Sequence, residues 1–180
     1  MASSKRRFFW LDLEMTGLNP LHDRILETAV IITDKYFDPI FEWDTTIYQP
    51  PKILKQMNEW CQNHHQRNGL LDRIKEGINE EELDDKLCEI AQCHLRKDKK
   101  EIVLCGNSIS HDRRFIETYL PKFNKRLHYR VLDVTSWKII FRDIYKLEYK
   151  KKNQHLALSD IKESLNELKY YLQFINLDTM

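Results

Sequence analysis

The order of the apolar stretches constrains the fold of this chain more than any other feature of its sequence. Three stretches rich in β-branched and aromatic residues come first, and polar, helical sequence follows a Pro-Pro break at positions 50 and 51. Short apolar strands then alternate with helices. The predicted strands are Phe8 to Glu14, Ile25 to Thr33, Phe41 to Tyr48, Ile102 to Cys105 and Val131 to Val134. We therefore expect an α/β fold in which helices flank a mixed five-stranded sheet, with the first three strands forming an antiparallel meander.

The last helix is the clearest helix in the sequence. Its apolar residues are three or four positions apart and form one stripe, made of Leu158, Ile161, Leu165, Leu168, Leu172 and Ile175. Such a stripe has to pack on the sheet. Two earlier helices are also predicted: Ser110 caps one that Pro121 ends, and the other runs through Trp137 and Ile140.

Length and charge limit the number of domains and the kind of ligand. The 180 residues contain no internal repeat and no Pro/Gly-rich linker, which predicts one domain over residues 1–180 with a core from about residue 8 to residue 175. The 29 basic and 28 acidic residues nearly cancel, so the chain lacks the strong positive field of a protein that binds many phosphates. Any nucleic-acid ligand should therefore be short or locally held.

The N-terminus and the cysteines favour a reducing compartment. The first residues contain no apolar stretch long enough for a secretion signal or a membrane span. The four cysteines form no CxxC pair. A zinc site at Cys88, Cys93 and His94 is the alternative, but the spacing of zinc ligands is missing, which favours inert thiols. The predicted location is the cytoplasm, with no membrane attachment.

Two carboxylates in the first strand are the first candidates for chemistry. Asp12 and Glu14 lie in an apolar run, and because side chains alternate along a strand, both project from the same face. Adjacent buried carboxylates repel each other and lose hydration, a conflict that a divalent cation removes. The alternative is the solvent face of an edge strand, but Trp10 shares that face and apolar residues occupy the other.

Three further candidates lie at helix starts. Asp112 follows a buried strand in the first turn of a helix, where functional sites collect but where the helix dipole also favours an acid. His155 and Asp160 flank the start of the last helix. A histidine with an ordinary pKa suits a general base, although either residue alone is more typical of a cap or a surface group.

These segments together resemble the three motifs of the DEDDh family of 3′-to-5′ exonucleases. The runs that carry the resemblance are similar to those of the oligoribonucleases in that family: Asp12 to Leu18, Gly106 to Ile109, Asp112 to Phe115 and Asp160 to Ser164. The match extends from about Phe9 to Tyr171. Two departures are Ser159, where the family commonly has a second acid, and Thr135, where it often has serine.

The resemblance implies a ribonuclease-H-like fold, a homodimer, and two Mg²⁺ or Mn²⁺ ions that support an in-line displacement at phosphorus. It implies stepwise release of nucleoside 5′-monophosphates from RNA oligonucleotides of about two to five nucleotides. Asp12, Glu14, Asp112 and Asp160 would be the metal ligands, and His155 the general base. The implied substrate contacts are Leu18, Trp60 and His65 near the bases and the 3′ nucleotide, and Ser108, Tyr129, Arg130 and Thr135 around the 5′ phosphate, with Tyr129 coming from the partner subunit.

Two other functions remain open from the sequence. The same catalytic set could trim the 3′ ends of longer RNA or single-stranded DNA, although the near-zero net charge argues against an extended basic groove. Alternatively, the chain could be a binding module that has lost its chemistry. Such a module should lack at least one ligand, whereas all five candidate catalytic positions hold competent residues. For Leu18 and Trp60, ordinary core packing is as good an interpretation as substrate contact.

Overall fold

The computed structural model describes residues 6–95, 102–150 and 157–175. Three strands come first and helices alternate with two further strands after them, as the sequence predicts. The strands are β1 (Phe8–Met15), β2 (Ile25–Thr33), β3 (Pro39–Thr46), β4 (Ile102–Gly106) and β5 (Leu127–Asp133). The helices are α1 (Pro51–Leu54), α2 (Glu59–Arg67), α3 (Leu70–Arg73), α4 (Glu80–His94), α5 (Ser110–Tyr119), α6 (Pro121–Asn124), α7 (Val134–Asp143) and α8 (Ala157–Leu172), with a 3₁₀ turn at Ile74–Glu76.

The five strands form one mixed sheet in the order β3-β2-β1-β4-β5. The β1-β2 and β2-β3 pairs are antiparallel, whereas β4 lies parallel to both β1 and β5. The predicted meander and the mixed five-stranded sheet are therefore confirmed. Strand β1 lies at the centre of the sheet, which excludes the alternative that Asp12 and Glu14 occupy a solvent-facing edge strand.

Helices cover both faces of the sheet, and the alternation of β1 divides its residues between two cores. Phe9, Leu11 and Leu13 pack on the face covered by α4 and α5. Trp10 faces the other way and packs with residues of α7 and α8. Because Asp12 and Glu14 share the face of Trp10, they lie on the side of the sheet that α8 covers.

Helix α8 contacts the sheet through the predicted stripe over most of its length. Ile161, Leu165 and Leu168 are at most 3% exposed, and burying each side chain contributes about 1.5–3 kcal/mol. The helix ends at Leu172, so Ile175 lies beyond it and is 38% exposed. The stripe therefore packs α8 on the sheet. The helix itself ends three residues before Ile175, the last residue of the predicted stripe.

Three local predictions are wrong. Strand β3 occupies Pro39–Thr46, two residues earlier than the predicted Phe41 to Tyr48. Strand β5 begins at Leu127 instead of Val131, and Val134 already belongs to α7. Ser110 is the first residue of α5 and not its cap; Ile109 precedes it, and no side chain caps this helix. The end of α5 before Pro121 is as predicted. Within the described ranges, no helix combines the length and the apolar character needed to cross a bilayer.

Candidate active site

Three carboxylates from two elements meet on the α8 side of the sheet. Asp12 and Glu14 come from β1, and Asp160 comes from the first turn of α8. One oxygen of each carboxylate lies within 4.8 Å of the others. All three side chains are partly exposed, so the cluster is open to a ligand. The strand pattern and the docking of α8 thus bring together residues that are about 150 positions apart.

Asp112 lies beside this cluster but is more deeply buried. Its residue is only 5% exposed, and its Oδ1 accepts a hydrogen bond of 2.9 Å from the backbone N–H of Leu13. This N–H is available because the pairing of β1 with β4 stops at Trp10. The bond ties the first turn of α5 to the strand position between Asp12 and Glu14. Burial raises the pKa of Asp112 to about 7.

The mutual repulsion of the carboxylates in the cluster favours the binding of a cation. The pKa of Glu14 rises to about 8, first because of burial and then because of the negative charges of Asp160, Glu27 and Asp112. Four carboxylates in one place therefore resist full ionisation in the protein alone. Their oxygens are the donors that hard divalent cations prefer, so the cluster fits a divalent metal.

The predicted general base, His155, lies outside the described residues. The nearest described residue after it is Ala157, the first residue of α8. Asp160 follows in the same helical turn.

The residues predicted to contact the bases differ in exposure. Leu18 is 66% exposed and Trp60 is 69% exposed, which excludes core packing for both. Leu18 lies on a turn that the Asp23 carboxylate closes by accepting hydrogen bonds from the Thr16 hydroxyl and the Asn19 N–H. Trp60 stacks on His64, with ring centroids 4.8 Å apart. Both apolar surfaces are presented to solvent beside the strand that carries the acids.

His65 is buried and fixed by the end of β1. Its Nε2 lies 2.9 Å from the carbonyl oxygen of Met15, so Nε2 carries the hydrogen and donates it, and burial lowers the pKa of the ring. The buried Nδ1 has no hydrogen-bond partner in the described structure. His64, His65 and Glu14 also form a group whose ligand atoms lie within 4.8 Å of one another. The helical segment α2 therefore borders the acid cluster directly.

Ser108 and Thr135 meet at the carboxyl ends of β4 and β5. Their hydroxyl oxygens are 2.9 Å apart, and the Thr135 hydroxyl donates to Asn107 Oδ1. The N–H groups of Ser108 and Thr135 both donate to Asp133 Oδ1, at 2.9 Å each. Ser108 has a positive φ of 52°, which this network holds in place. The acid at the end of β5 thus organises both predicted phosphate contacts.

Tyr129 and Arg130 project from the edge strand β5. Tyr129 is 74% exposed, the Arg130 guanidinium carbon lies 5.0 Å from the centre of its ring, and His128 stacks on it at 4.4 Å. The Tyr129 ring, which contacts both Arg130 and His128, offers a surface on which a base can stack. The Arg130 guanidinium beside it can bind a phosphate through two N–H groups. Both residues are accessible in the single chain.

Sequence reasoning missed two acids at the site, Asp133, which accepts hydrogen bonds from Ser108 and Thr135, and Glu27. Glu27 lies opposite Glu14 in the β1-β2 register and is 3% exposed. The signal was present, because Glu27 is the one charged residue inside the apolar strand Ile25–Thr33. The alternative zinc site gains no support: among the described residues, His94 stacks on Phe41 and forms no metal-ligating group with Cys88 and Cys93.

The sheet and its helices define a class of protein with a ribonuclease-H-like fold, to which solved 3′-exonucleases also belong. The same fold occurs in a crystal structure of a full-length 3′-exonuclease, with a TM-score of 0.66, 15% identity, and coverage of 95% of this chain and 83% of that one. It also occurs in the nuclease domain of 3′hExo, a DEDDh family member bound to rAMP, with a TM-score of 0.65, 15% identity, and coverage of 95% and 94%.

Sequence comparison narrows the class to one family. A family model described as exonuclease matches residues 9–168. The oligoribonuclease of Marinobacter nauticus is 43% identical over 94% of this chain and 96% of its own length. The oligoribonuclease of Coxiella burnetii is 41% identical over 95% of each chain. The chain belongs to the oligoribonuclease family of exonucleases, which confirms the resemblance that its motifs indicate.

Proposed function

We propose that this chain is a metal-dependent 3′-to-5′ exoribonuclease that degrades RNA oligonucleotides of about two to five nucleotides, dinucleotides included, to nucleoside 5′-monophosphates. One observation carries the proposal: Asp12, Glu14 and Asp160 present oxygens within 4.8 Å of one another, beside the buried Asp112. Membership of the oligoribonuclease family supports the reaction and the substrate class.

The four carboxylates would hold two divalent ions, Mg²⁺ or Mn²⁺. A site made of carboxylate oxygens suits these hard cations better than a soft transition metal. When bound, a pair of such ions lowers the pKa of an attacking water and stabilises the leaving 3′ oxygen. The raised pKa of Glu14 supports this assignment, because a cation is what would let all four acids ionise together.

The chain itself would orient the water and the substrate. His155 would take the proton of the attacking water, a role that suits a neutral imidazole. Asp112 accepts a hydrogen bond from the Leu13 N–H through one oxygen, which holds its carboxylate against β1. Leu18 and Trp60 would hold the bases between exposed apolar surfaces. His65 is 1% exposed, so its contact with the 3′ nucleotide would require its side chain to become accessible when the substrate binds.

The preference for short substrates would come from the 5′ side. Ser108, Arg130 and Thr135, with Tyr129 of a second subunit, would surround the 5′ phosphate of a dinucleotide. The pairing of the Ser108 and Thr135 hydroxyls and the exposure of Tyr129 support this assignment. A phosphate bound there would cap the 5′ end of a dinucleotide, and the net charge of +1 offers little attraction for a longer strand.

We also propose a homodimer. The surface of α7 and the chain beyond it is apolar, with Ile140, Ile144, Tyr145 and Phe174 between 46% and 68% exposed. Several of these residues line an open cavity of about 600 Å³. A contiguous apolar patch of this kind marks an interface, and a second copy would cover it while bringing its own Tyr129 near the site.

The proposed location is the cytoplasm. Cys61, Cys88, Cys93 and Cys105 are all free thiols, and burial raises the pKa of three of them, Cys61, Cys88 and Cys105. Unreactive, unpaired cysteines are typical of a reducing compartment.

A length series tests the substrate class. The values of kcat/KM are measured for RNA of two, three, five and twenty nucleotides that share the same 3′ end. The proposal expects the highest value for the dinucleotide and a steep fall toward the 20-mer. Equal or higher kcat/KM for the 20-mer would instead indicate an enzyme that trims longer 3′ ends.

A further inference from the structure

A buried acid outside the proposed ligand set lies next to the acid cluster. Glu27 occupies the position of β2 that pairs with Glu14, and it is 3% exposed. Within the described residues, it belongs to neither group of side chains that could hold a metal. A carboxylate that is removed from water needs compensating partners, so its contacts indicate what it does.

The two oxygens of Glu27 have different partners. Oε1 lies 2.9 Å from Nη1 of Arg73, the last residue of α3. Oε2 accepts a hydrogen bond of 3.4 Å from the backbone N–H of Ala157, the first residue of α8. This N–H has no acceptor within its own helix, and the positive end of the helix dipole favours an anion at that place.

Glu27 therefore joins three parts of the proposed active site. Its own strand lies beside Glu14. Arg73 ends α3, the short helix that follows the helix α2 of Trp60 and His65. Ala157 begins α8, which carries Asp160 three residues later. Ala157 also follows His155 by two positions in the chain.

We infer that Glu27 is a positioning residue: its carboxylate holds the first turn of α8 and so keeps Asp160 in the acid cluster. The ion pair with Arg73 balances the charge of this carboxylate. This inference rests on the proposed function, in which Asp160 binds metal. Glu27 itself touches neither metal nor substrate in this role. Residues that orient metal ligands in this way commonly change metal affinity or activity by about 10–100-fold when they are removed.

The two contacts can be separated by substitution. Glu27→Gln keeps an acceptor for the Ala157 N–H but loses the ion pair, whereas Glu27→Ala loses both. Arg73→Met leaves the buried carboxylate without its counter-ion, and Arg73→Lys restores a cation. Lys162→Met is the matched control, because Lys162 lies on the same helix and forms an exposed 2.7 Å ion pair with Glu42.

The experiment measures Mn²⁺ binding by electron paramagnetic resonance and, separately, kcat and KM for an RNA dinucleotide. Thermal unfolding confirms that each variant is folded at the assay temperature. We expect Glu27→Ala to weaken Mn²⁺ binding and to lower kcat, each by about tenfold or more, with KM within about threefold of wild type. Glu27→Gln and Arg73→Met should show smaller losses, Arg73→Lys should recover most of the loss, and Lys162→Met should match wild type.

Wild-type Mn²⁺ affinity in folded Glu27→Ala would overturn the inference. If Glu27→Ala does not fold, wild-type Mn²⁺ affinity in both Glu27→Gln and Arg73→Met would overturn it. A wild-type protein that binds Mn²⁺ but does not cleave the dinucleotide would contradict the proposed function alone. The Mn²⁺ affinities of the variants would still decide the role of Glu27.

Discussion

Asp12 gains its proposed role from the strand that carries it. It is held at the centre of the sheet with Glu14 on the same face, so a change to its carboxylate alters the cluster without altering the core. We predict that Asp12→Asn lowers the rate of nucleotide release by about a thousandfold or more, since the loss of ~4 kcal/mol of charge stabilisation has that effect.

The control for this prediction is Asp85→Asn, an isosteric change on α4 in an exposed ion pair with Lys122 of α6. Both variants should have the circular dichroism spectrum of the wild type. Substantial activity in folded Asp12→Asn would contradict its role as a metal ligand.

Glu14 makes the stability of the metal-free protein depend on pH. Its pKa in the folded state is about 8, above the ordinary value of 4.5, so between these values the folded chain holds a proton that the unfolded chain has lost. Folded protein then binds more protons than unfolded protein, and stability falls as pH rises through this window. Glu14→Gln removes this effect. We predict that the substitution raises Tm in the presence of a chelator more at pH 8 than at pH 5; an equal change at both pH values would argue against the raised pKa.

At the scale of elements, the sequence predicts the types of the strands and helices better than their ends. Hydrophobic burial determines strands such as β2, in which every residue is buried, and the stripe of α8. Strand β5 was placed four residues late because its first half is His128, Tyr129 and Arg130, an exposed edge that lacks an apolar pattern. The start of α5 was misplaced because a tertiary network around Ser108 sets it, instead of a local cap.

Helix α8 depends on its buried stripe for stability. Leu165 is 3% exposed and lies in the core that α8 shares with β1 and β2. We predict that Leu165→Ala lowers the free energy of unfolding by about 2–5 kcal/mol, because it removes buried surface and leaves a cavity. Urea denaturation measures this loss. Asn166→Ala, on the exposed face of the same helix, should change the free energy by less than about 0.5 kcal/mol; a similar loss in both variants would contradict the packing of α8.

At the scale of the whole molecule, the sequence alone could name the candidate acids but not their arrangement. Asp12 and Glu14 follow from strand alternation, and the motif resemblance adds Asp112 and Asp160. Their meeting depends on the strand order and on the docking of α8, which are long-range contacts without a local pattern. Glu27 could have been noticed as the one charged residue of β2, but its role could not be predicted, because its two partners are 46 and 130 positions further along the chain.

The exposed apolar surface around α7, which includes Ile144, leads to a prediction about the oligomeric state. Ile144 is 68% exposed in the single chain, and a charge there would have to be buried in the proposed dimer. We predict that Ile144→Lys converts the protein to a monomer and lowers dinucleotide turnover, because Tyr129 of the second subunit would be lost. Light scattering after size-exclusion chromatography measures the mass. Ile40→Lys, on the opposite edge strand, should leave the mass unchanged; a dimer that survives Ile144→Lys would locate the interface elsewhere.

The release of product from a 5′-labelled RNA dinucleotide, followed over time, tests the central claim most directly. The reaction is run with Mg²⁺, with Mn²⁺ and with an excess of chelator. The acid cluster predicts that nucleoside 5′-monophosphates accumulate with either metal and that the chelator stops their release. An intact dinucleotide in the presence of both metals, or equal cleavage in the presence of the chelator, would contradict it.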